Sequence, residues 1–147
     1  MKSKINFKTI KVKHKSTKYY KARCDRLFSL WIRQRDADGN GYCRCITCNG
    51  LHYWRYLDAG HFMPRNHEAT RYHEKNAHCQ DKKCNNKNWN QGEQFLHGQY
   101  IDKRYGAGTA EKLSILSKVE CKRGWFDYMQ IGNEILEDLK SNGFEIR

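Results

Sequence analysis

The stretch "DAGHFMPRNHEATRYHEKNAHCQDKKCNN", residues 58–86, decides the fold that this sequence predicts. It begins at the end of an aromatic, β-rich run over 53–59, which predicts a strand. A polar, irregular segment with the chain's single proline follows over 61–75, and a short extended segment is predicted over 76–80. From about residue 82 to residue 105 the apolar spacing favours helix, with an asparagine-rich, broken start. Strand, loop, strand and helix are therefore predicted in that order.

The segments on both sides predict further helices. Upstream, residues 20–36 carry apolar side chains at three- and four-residue spacing, and a turn rich in Asp, Asn and Gly ends that helix. A tight hairpin is predicted over 42–52. Downstream, Thr109 can cap a helix over 110–119, and the amphipathic tail 125–139 predicts another. The fold class predicted is α+β, with helices at the N- and C-terminal sides of a small strand-containing centre.

The cysteine spacing predicts a structural zinc site. The chain has seven cysteines, an odd number, and its basic N-terminal segment lacks the apolar core of a secretory signal, so a reducing compartment is expected. Cys45 and Cys48 form a C-x2-C knuckle, and Cys79 and Cys84 form a later, wider pair. Asp81 stands where a second C-x2-C would begin. The predicted ligands are therefore Cys45, Cys48 and Cys84 with either Cys79 or Asp81.

The positive charge is concentrated at the N-terminus. The net charge is +12, yet residues 1–23 hold nine Lys and Arg and no acid, while the rest of the chain is nearly balanced. We predict a basic arm over 1–20, followed by one zinc-stabilised domain over 21–147. Such an arm suits DNA, because each neutralised phosphate releases a counterion, and no apolar run approaches the length of a membrane span. The expected DNA contacts in the arm are Lys11, Lys13, Lys15 and Lys18.

The order of these features resembles a ββα-metal finger of the HNH (His-Me finger) nucleases. More specifically, the run "IRQRDADGNGYCRCITC … DAGHFMPRNHEATRYHEKNAHCQDKKCNN … YIDKRYGAGTAEKL" is similar to phage recombination endonucleases of the NinG/Rap type, over roughly residues 24–118. The resemblance implies a small ββα-metal core with a zinc knuckle. It also implies metal-dependent cleavage of phosphodiester bonds in branched recombination DNA, such as Holliday junctions.

The same resemblance assigns the catalytic roles. His61, at the end of the first strand, is implied as the general base, and a neutral imidazole suits that task near neutral pH. Gly60 is expected to clear room for the scissile phosphate. Asn76 is implied as a member of the catalytic set that supports the loop. Asn85, directly after Cys84, is implied as a ligand of a catalytic Mg²⁺ or Mn²⁺.

The second ligand of the catalytic metal has two candidates. In a regular strand Asp58 and His61 point to opposite faces, so Asp58 is expected to need a local irregularity. His78 could instead point into the cleft from the second strand. Arg65 and Arg71, which flank the loop, are candidate phosphate clamps for DNA.

Two departures from the family pattern lie near these metal sites. The second cysteine pair reads "CQDKKC", residues 79–84, where the family has C-x2-C, and Gly92-Glu93 stands where the family tends to have Gly-Asn. Each predicts either a shifted zinc ligand set or a weakened active site.

The leading hypothesis is thus a DNA endonuclease, phage- or prophage-encoded and located in the cytoplasm of the bacterial host. The alternative is a zinc-containing DNA-binding recombination accessory protein without activity, and a third idea is an RNA-binding zinc knuckle. Cutting a junction requires two nicks, so a homodimer is a further expectation, with the apolar C-terminal helix as either interface or core.

Overall fold

Four helices and two short antiparallel sheets make up the part of the chain that the structure describes, in agreement with the α+β prediction. The computed structural model describes residues 13–86 and 93–147. The elements are, in order, α1 (Thr17–Arg35), β1 (Tyr42–Arg44), β2 (Leu51–Tyr53), β3 (Asp58–His61), β4 (Ala77–Gln80), α2 (Glu93–Tyr105), α3 (Thr109–Ser117) and α4 (Trp125–Ser141).

Helix α1 begins three residues before the predicted start at residue 20 and ends at Arg35, one residue before the predicted end. The Ser16 hydroxyl accepts a hydrogen bond from the Tyr19 N–H at 3.2 Å and caps the N-terminus. Basic side chains in the last turn suit the negative end of the helix dipole. One face of the helix is buried, through Cys24, Leu27, Phe28, Leu30 and Ile32.

Helix α4 packs against α1 and supplies the other half of the main core. Leu139 of α4 joins Leu27, Leu30 and Trp54 in one buried cluster. The two helices approach closely at Gly132, where a Cβ would lie 2.6 Å from the Arg23 guanidinium. The apolar C-terminal helix is therefore part of the core of this chain.

The two sheets are both antiparallel pairs. In the hairpin β1–β2, Cys43 lies opposite His52. Asn49 occupies the left-handed region between these strands, with φ 59°, a conformation that Asn tolerates better than most residues. In the second sheet, β3 pairs with β4 so that Asp58 faces Gln80.

The strand predicted over 53–59 is only partly present. Trp54–Tyr56 forms a short 3₁₀ turn, and β3 starts at Asp58. The turn brings Trp54, which is 4% exposed, into the core beside α1. Burial of this large side chain outweighs the β propensity of the aromatic run.

The helix predicted from residue 82 starts later. Residues 82–85 form a turn, held by the Lys83 N–H on Asp81 Oδ1 at 2.8 Å and the Asn85 N–H on the Asp81 carbonyl at 2.8 Å. Residues 87–92 lie outside the described part, and α2 begins at Glu93.

Candidate active site and cysteine cluster

A cleft of about 1200 Å³ runs along the open edge of β3. Among the described strands β3 pairs only with β4, so side chains from both of its faces reach the cleft past the free edge. Asp58 and His61 therefore share the cleft without any irregularity in the strand. The sequence-predicted residues that line it are Asp58, His61, Arg65, Arg71, Cys84 and Asn85.

The His61 side chain is held as a neutral imidazole. Its Nε2 lies 2.9 Å from the main-chain carbonyl oxygen of Arg71. Because a carbonyl only accepts, Nε2 carries the hydrogen and Nδ1 keeps its lone pair. Burial lowers the pKa of His61 to about 4, and the positive charges of Arg65 and Arg71 act in the same direction. The imidazole is thus uncharged at neutral pH.

Asp58 and Asn85 meet across the cleft. The Asn85 side-chain amide donates to Asp58 Oδ2 at 3.1 Å, which joins the start of β3 to the turn after β4. A carboxylate and a side-chain amide both offer oxygen atoms, the ligands that Mg²⁺ and Mn²⁺ prefer. The donor set of this pair therefore fits a hard divalent cation.

Asn76 organises the loop between β3 and β4. It is fully buried; its Oδ1 accepts from the Met63 N–H at 2.8 Å, and its amide donates to the carbonyls of Met63 and Thr70 at 3.0 Å each. It does not line the cleft. The geometry matches loop support rather than direct chemistry.

Gly60 makes room for a protein side chain. A Cβ at this position would lie 2.0 Å from Gln80 Oε1, so Gln80 fills the space that the sequence suggested for a phosphate, and that expectation is wrong. The Gln80 amide donates to Thr47 Oγ1 at 2.8 Å and to Glu93 Oε2 at 3.3 Å.

Glu93 is a cleft residue that sequence reasoning did not assign. It lines the cleft from the start of α2, and burial raises the pKa of its carboxyl while contact with Cys84 acts in the opposite direction. The one sequence signal was the departure at Gly92-Glu93, which places a carboxylate where the family tends to have an amide.

The two loop arginines differ in their partners. The Arg71 side chain is 10% exposed and donates to both carboxylate oxygens of Asp25 in α1, at 2.9 and 2.6 Å. Its charge is therefore matched by a protein carboxylate, and it is not available as the free phosphate clamp that we expected. Arg65 is exposed at the cleft, and its side chain forms no hydrogen bond or ion pair with residues 13–86 or 93–147.

The structure does not bring His78 to the cleft. It is fully buried and faces α2, with Nδ1 3.0 Å from His97 Nε2 and Nε2 2.9 Å from the Tyr105 hydroxyl. Burial lowers the pKa of His78 to about 3 and that of His97 to about 4. His78 is thus a neutral core histidine, and the expectation that it binds the catalytic metal is wrong.

Three of the predicted zinc ligands converge. The sulfur atoms of Cys45, Cys48 and Cys84 all lie within 4.8 Å of one another. Main-chain N–H groups of Thr47 and Asp81 point at Cys45 Sγ, at 3.4 and 3.2 Å. Burial acts to raise the pKa of Cys45, but the N–H donors outweigh it and lower the pKa below its usual value. This group could hold a metal ion such as zinc.

Cys79 does not join the cluster. It is fully buried, its thiol donates to the Arg33 carbonyl at 3.5 Å, and its hydrogen bond with the free thiol of Cys43, together with burial, raises its pKa. Of the two alternatives for a fourth ligand, Asp81 is the one beside the cluster. Its Oδ2 lies 3.3 Å from Nε2 of His52, a residue that sequence reasoning left unassigned.

The described lysines of the predicted arm are exposed. Lys13 and Lys15 precede α1, and Lys18 lies in its first turn, so the helix begins inside the predicted 1–20 arm. Lys11 lies outside the described residues. Within the described part of the chain no helix is both long and apolar enough to cross a membrane.

A comparison with protein families gives one match. The family model described as "Bacteriophage Lambda NinG protein" matches residues 1–140. The matched range includes the whole cleft and the cysteine cluster. No curated protein and no solved structure matches the chain.

Proposed function

The chain belongs to the bacteriophage lambda NinG family, and on that premise we propose that it is a metal-dependent DNA endonuclease acting on branched, recombination-intermediate DNA. The observation that carries the proposal is the cleft itself. A neutral imidazole, His61, shares it with the oxygen-bearing pair of Asp58 and Asn85. These are the two components, a base and a cation site, that phosphodiester hydrolysis requires.

In this proposal His61 activates the attacking water. Nδ1 takes a proton from the water as its oxygen attacks phosphorus, and the bond from phosphorus to the leaving sugar oxygen breaks, that oxygen taking a proton from solvent. The Nε2–H bond to the Arg71 carbonyl is retained throughout and stabilises the imidazolium that forms. A phosphodiester in the cleft would offset the positive charges of Arg65 and Arg71. The pKa of His61 would then rise from about 4 towards the range in which a general base is most effective.

The catalytic metal would be held by Asp58 and by the amide oxygen of Asn85, with Glu93 on the same wall. When bound, Mg²⁺ or Mn²⁺ supplies Lewis-acid stabilisation of the charge that develops on the phosphate oxygens. Asn85 follows Cys84 directly, so zinc on the cysteine cluster would fix the position of Asn85 relative to His61.

DNA would be bound by charge at the edge of this cleft. Arg65 is the exposed cleft arginine, and the basic N-terminal segment adds further positive charge for the phosphate backbone. Two coordinated nicks in a junction would require two active sites, hence a homodimer.

The test is cleavage of a labelled four-way junction, with a linear duplex beside it, by the full chain with Mg²⁺. We expect His61→Ala to lower the cleavage rate about 10²–10⁴-fold, because general-base catalysis is worth about that much, while junction affinity stays within about twofold. His73→Ala is a matched control, since His73 lies in the same loop and does not line the cleft; it should cleave like the parent chain.

A zinc-containing accessory protein that binds DNA without cutting it is the rival function. It needs the cysteine cluster and the basic segment but not a neutral His61. No cleavage by the parent chain with Mg²⁺ or Mn²⁺, or equal cleavage by His61→Ala, would favour that rival over the endonuclease.

A further inference from the structure

We propose that Trp125, the first residue of α4, is a stacking site for an unpaired nucleobase of the branched DNA. The proposal rests on the DNA-binding part of the proposed function and adds to it a contact outside the cleft. It holds equally for a protein that cuts the DNA and for the accessory protein that binds without cutting. Its test therefore does not depend on cleavage.

The indole of Trp125 carries a flat heteroaromatic ring in this structure. The His14 imidazole lies parallel to it, with ring centroids 4.1 Å apart and an angle of 9° between the two planes. Nucleobases stack on aromatic side chains in the same face-to-face way, and every base has a face that can do so. One face of the indole is therefore open to a ring of this kind.

The His14 ring is held at this place by few contacts. It is exposed, and with residues 13–86 and 93–147 its one hydrogen bond joins Nδ1 to the carbonyl oxygen of the next residue, Lys15, at 2.9 Å. The bond that caps α1 is made by Ser16 and does not involve this ring. A nucleobase can thus take the place of His14 without breaking a hydrogen bond to the body of the protein.

The aromatic group around Trp125 lies at the surface. Phe126 is 52% exposed and meets the indole edge-on, with ring centroids 5.7 Å apart. Tyr20 of α1 lies on another side of the indole, at 6.0 Å. Among the described residues Trp125 belongs to none of the buried apolar clusters. Its ring is therefore available for binding rather than committed to the core.

Positive charge adjoins this aromatic group. Lys13 and Lys15 flank His14 and are exposed, and residues 13–20 contain no acid. The acid in the first turn of α4, Asp127, accepts the Gly124 N–H at 2.7 Å and so is engaged in capping the helix. A base stacked on the indole would bring its phosphates towards the lysines, whereas an uncharged apolar partner would gain nothing from them.

Trp125 is linked to the cleft through the loop between β3 and β4. Arg65, in the first part of this loop, lines the cleft. Three residues later, Glu68 accepts a hydrogen bond from the Arg123 guanidinium at 3.1 Å, and Arg123 is two residues before Trp125. A strand that leaves the cleft across this loop would reach the indole.

Equilibrium binding of two DNA probes tests the proposal, with the purified full chain in buffer without Mg²⁺. One probe is a blunt duplex, and the other is the same duplex with a single-stranded thymidine tail, whose bases are free to stack. Trp125→Leu should weaken binding of the tailed duplex about 5–150-fold, the range for loss of one base–aromatic stack, and leave blunt-duplex binding unchanged. Trp125→Phe keeps a flat ring and should retain most of the affinity.

Two controls separate stacking from a general loss of binding. Tyr56→Leu removes an aromatic side chain that is 72% exposed and does not line the cleft, and it should match the parent chain with both probes. His14→Ala should not weaken binding of the tailed duplex, because the base takes the place of this ring. Iodouracil in the tail should photocrosslink to Trp125 of the unaltered chain, as located by mass spectrometry.

Three results would overturn the proposal. The first is equal binding of the tailed duplex by Trp125→Leu and the parent chain, and the second is a crosslink that forms elsewhere and not at Trp125. The third is an equal loss with both probes in His14→Ala and Trp125→Leu, which would show that the stack serves to hold the N-terminal segment. A parent chain that binds neither probe would also refute the DNA-binding part of the proposed function, whereas these three results leave that part intact.

Discussion

Arg65 and Arg71 show how two residues of one type in one loop acquire different roles. Arg71 donates to both oxygens of Asp25 and bonds the Tyr72 hydroxyl at 3.2 Å, so it ties the loop to α1. Arg65 faces solvent at the cleft. Their charge is the same, but only Arg65 can give its guanidinium to a phosphate without breaking an internal ion pair.

This difference predicts opposite effects of substitution. Arg71→Ala should lower the free energy of unfolding by about 1–3 kcal/mol, because it leaves the part-buried Asp25 with the Tyr72 hydroxyl as its remaining hydrogen-bond partner. Arg65→Ala should leave stability within about 0.5 kcal/mol and weaken DNA binding, with a smaller salt dependence of the affinity. Urea unfolding and DNA titration at several salt concentrations measure both effects. The distinction fails if Arg65→Ala unfolds the protein or if Arg71→Ala leaves its stability unchanged.

At the scale of single residues, the sequence predicted which cysteines come together better than it predicted which residues each side chain contacts. The knuckle Cys45 and Cys48 and the later Cys84 could be found from spacing, because a tight C-x2-C turn points both thiols one way. Spacing could not exclude Cys79 as a metal ligand. Cys79 lies in β4, all of whose residues are buried, and its thiol does not reach the other three. The expected role of Gly60 was wrong because a neighbouring side chain, Gln80, competes for the same space.

At the scale of elements, β4 and α2 meet through buried histidines. His78 and His97 are 0% and 2% exposed and bond to each other at 3.0 Å. Burial lowers the pKa of both well below the ordinary value of 6.5, so both rings are neutral in the folded chain near neutral pH.

A pH dependence of stability follows from this contact. Between pH 6.5 and about 4 the unfolded chain binds protons that the folded chain does not, so the free energy of unfolding should fall as pH falls through that window. The slope is up to about 1.4 kcal/mol per pH unit for each histidine, and above pH 6.5 the pair adds no slope. Chemical denaturation of the zinc-loaded protein at a series of pH values measures it.

The double variant His78→Leu/His97→Leu is the control for this prediction. It removes both titrating rings and leaves His61, whose pKa is also low. Loss in acid of any metal ion held by the cysteine cluster would affect both proteins alike, so the difference between their slopes reports the pair. Equal slopes in the two proteins would contradict the assignment.

The secondary-structure elements around the cleft could be predicted from the sequence only in part. The sequence predicted the hairpin, β4 and the helices at both ends, since each has a clear periodicity or turn signal. That β3 keeps a free edge depends on which strands pair, which local pattern does not reveal. This edge lets Asp58 and His61 share a cleft although they point to opposite faces of the strand.

At the scale of the whole molecule, the basic charge is unevenly distributed along the sequence. Residues 1–23 carry nine of the 28 basic side chains and no acid. Several basic residues of the body are instead paired internally, as Arg71 is with Asp25 and Arg104 with Asp36. Long-range attraction of DNA should therefore depend mainly on the N-terminal segment.

Deletion of residues 1–12 tests whether the N-terminal segment attracts DNA, and it leaves α1 and its Ser16 cap in place. These residues include four lysines. The slope of log affinity against log salt for duplex DNA should become shallower by about 0.9 for each phosphate contact that is lost. A chain with a Gly/Ser segment of equal length in place of residues 1–12 should behave like the deletion. An unchanged slope would show that the segment does not contact DNA.

The bond that sets the tautomer of His61 comes from a main-chain oxygen at position 71. Any amino acid at that position supplies the same oxygen, so point mutation cannot delete this acceptor as it could delete a carboxylate partner. Natural variation at position 71 can therefore alter how the loop is tied to α1 while His61 keeps the same tautomer. Loss of this hydrogen bond would require an insertion, a deletion or a shift of the backbone. The number of residues between His61 and position 71 should therefore vary less than the identity of the side chain at position 71.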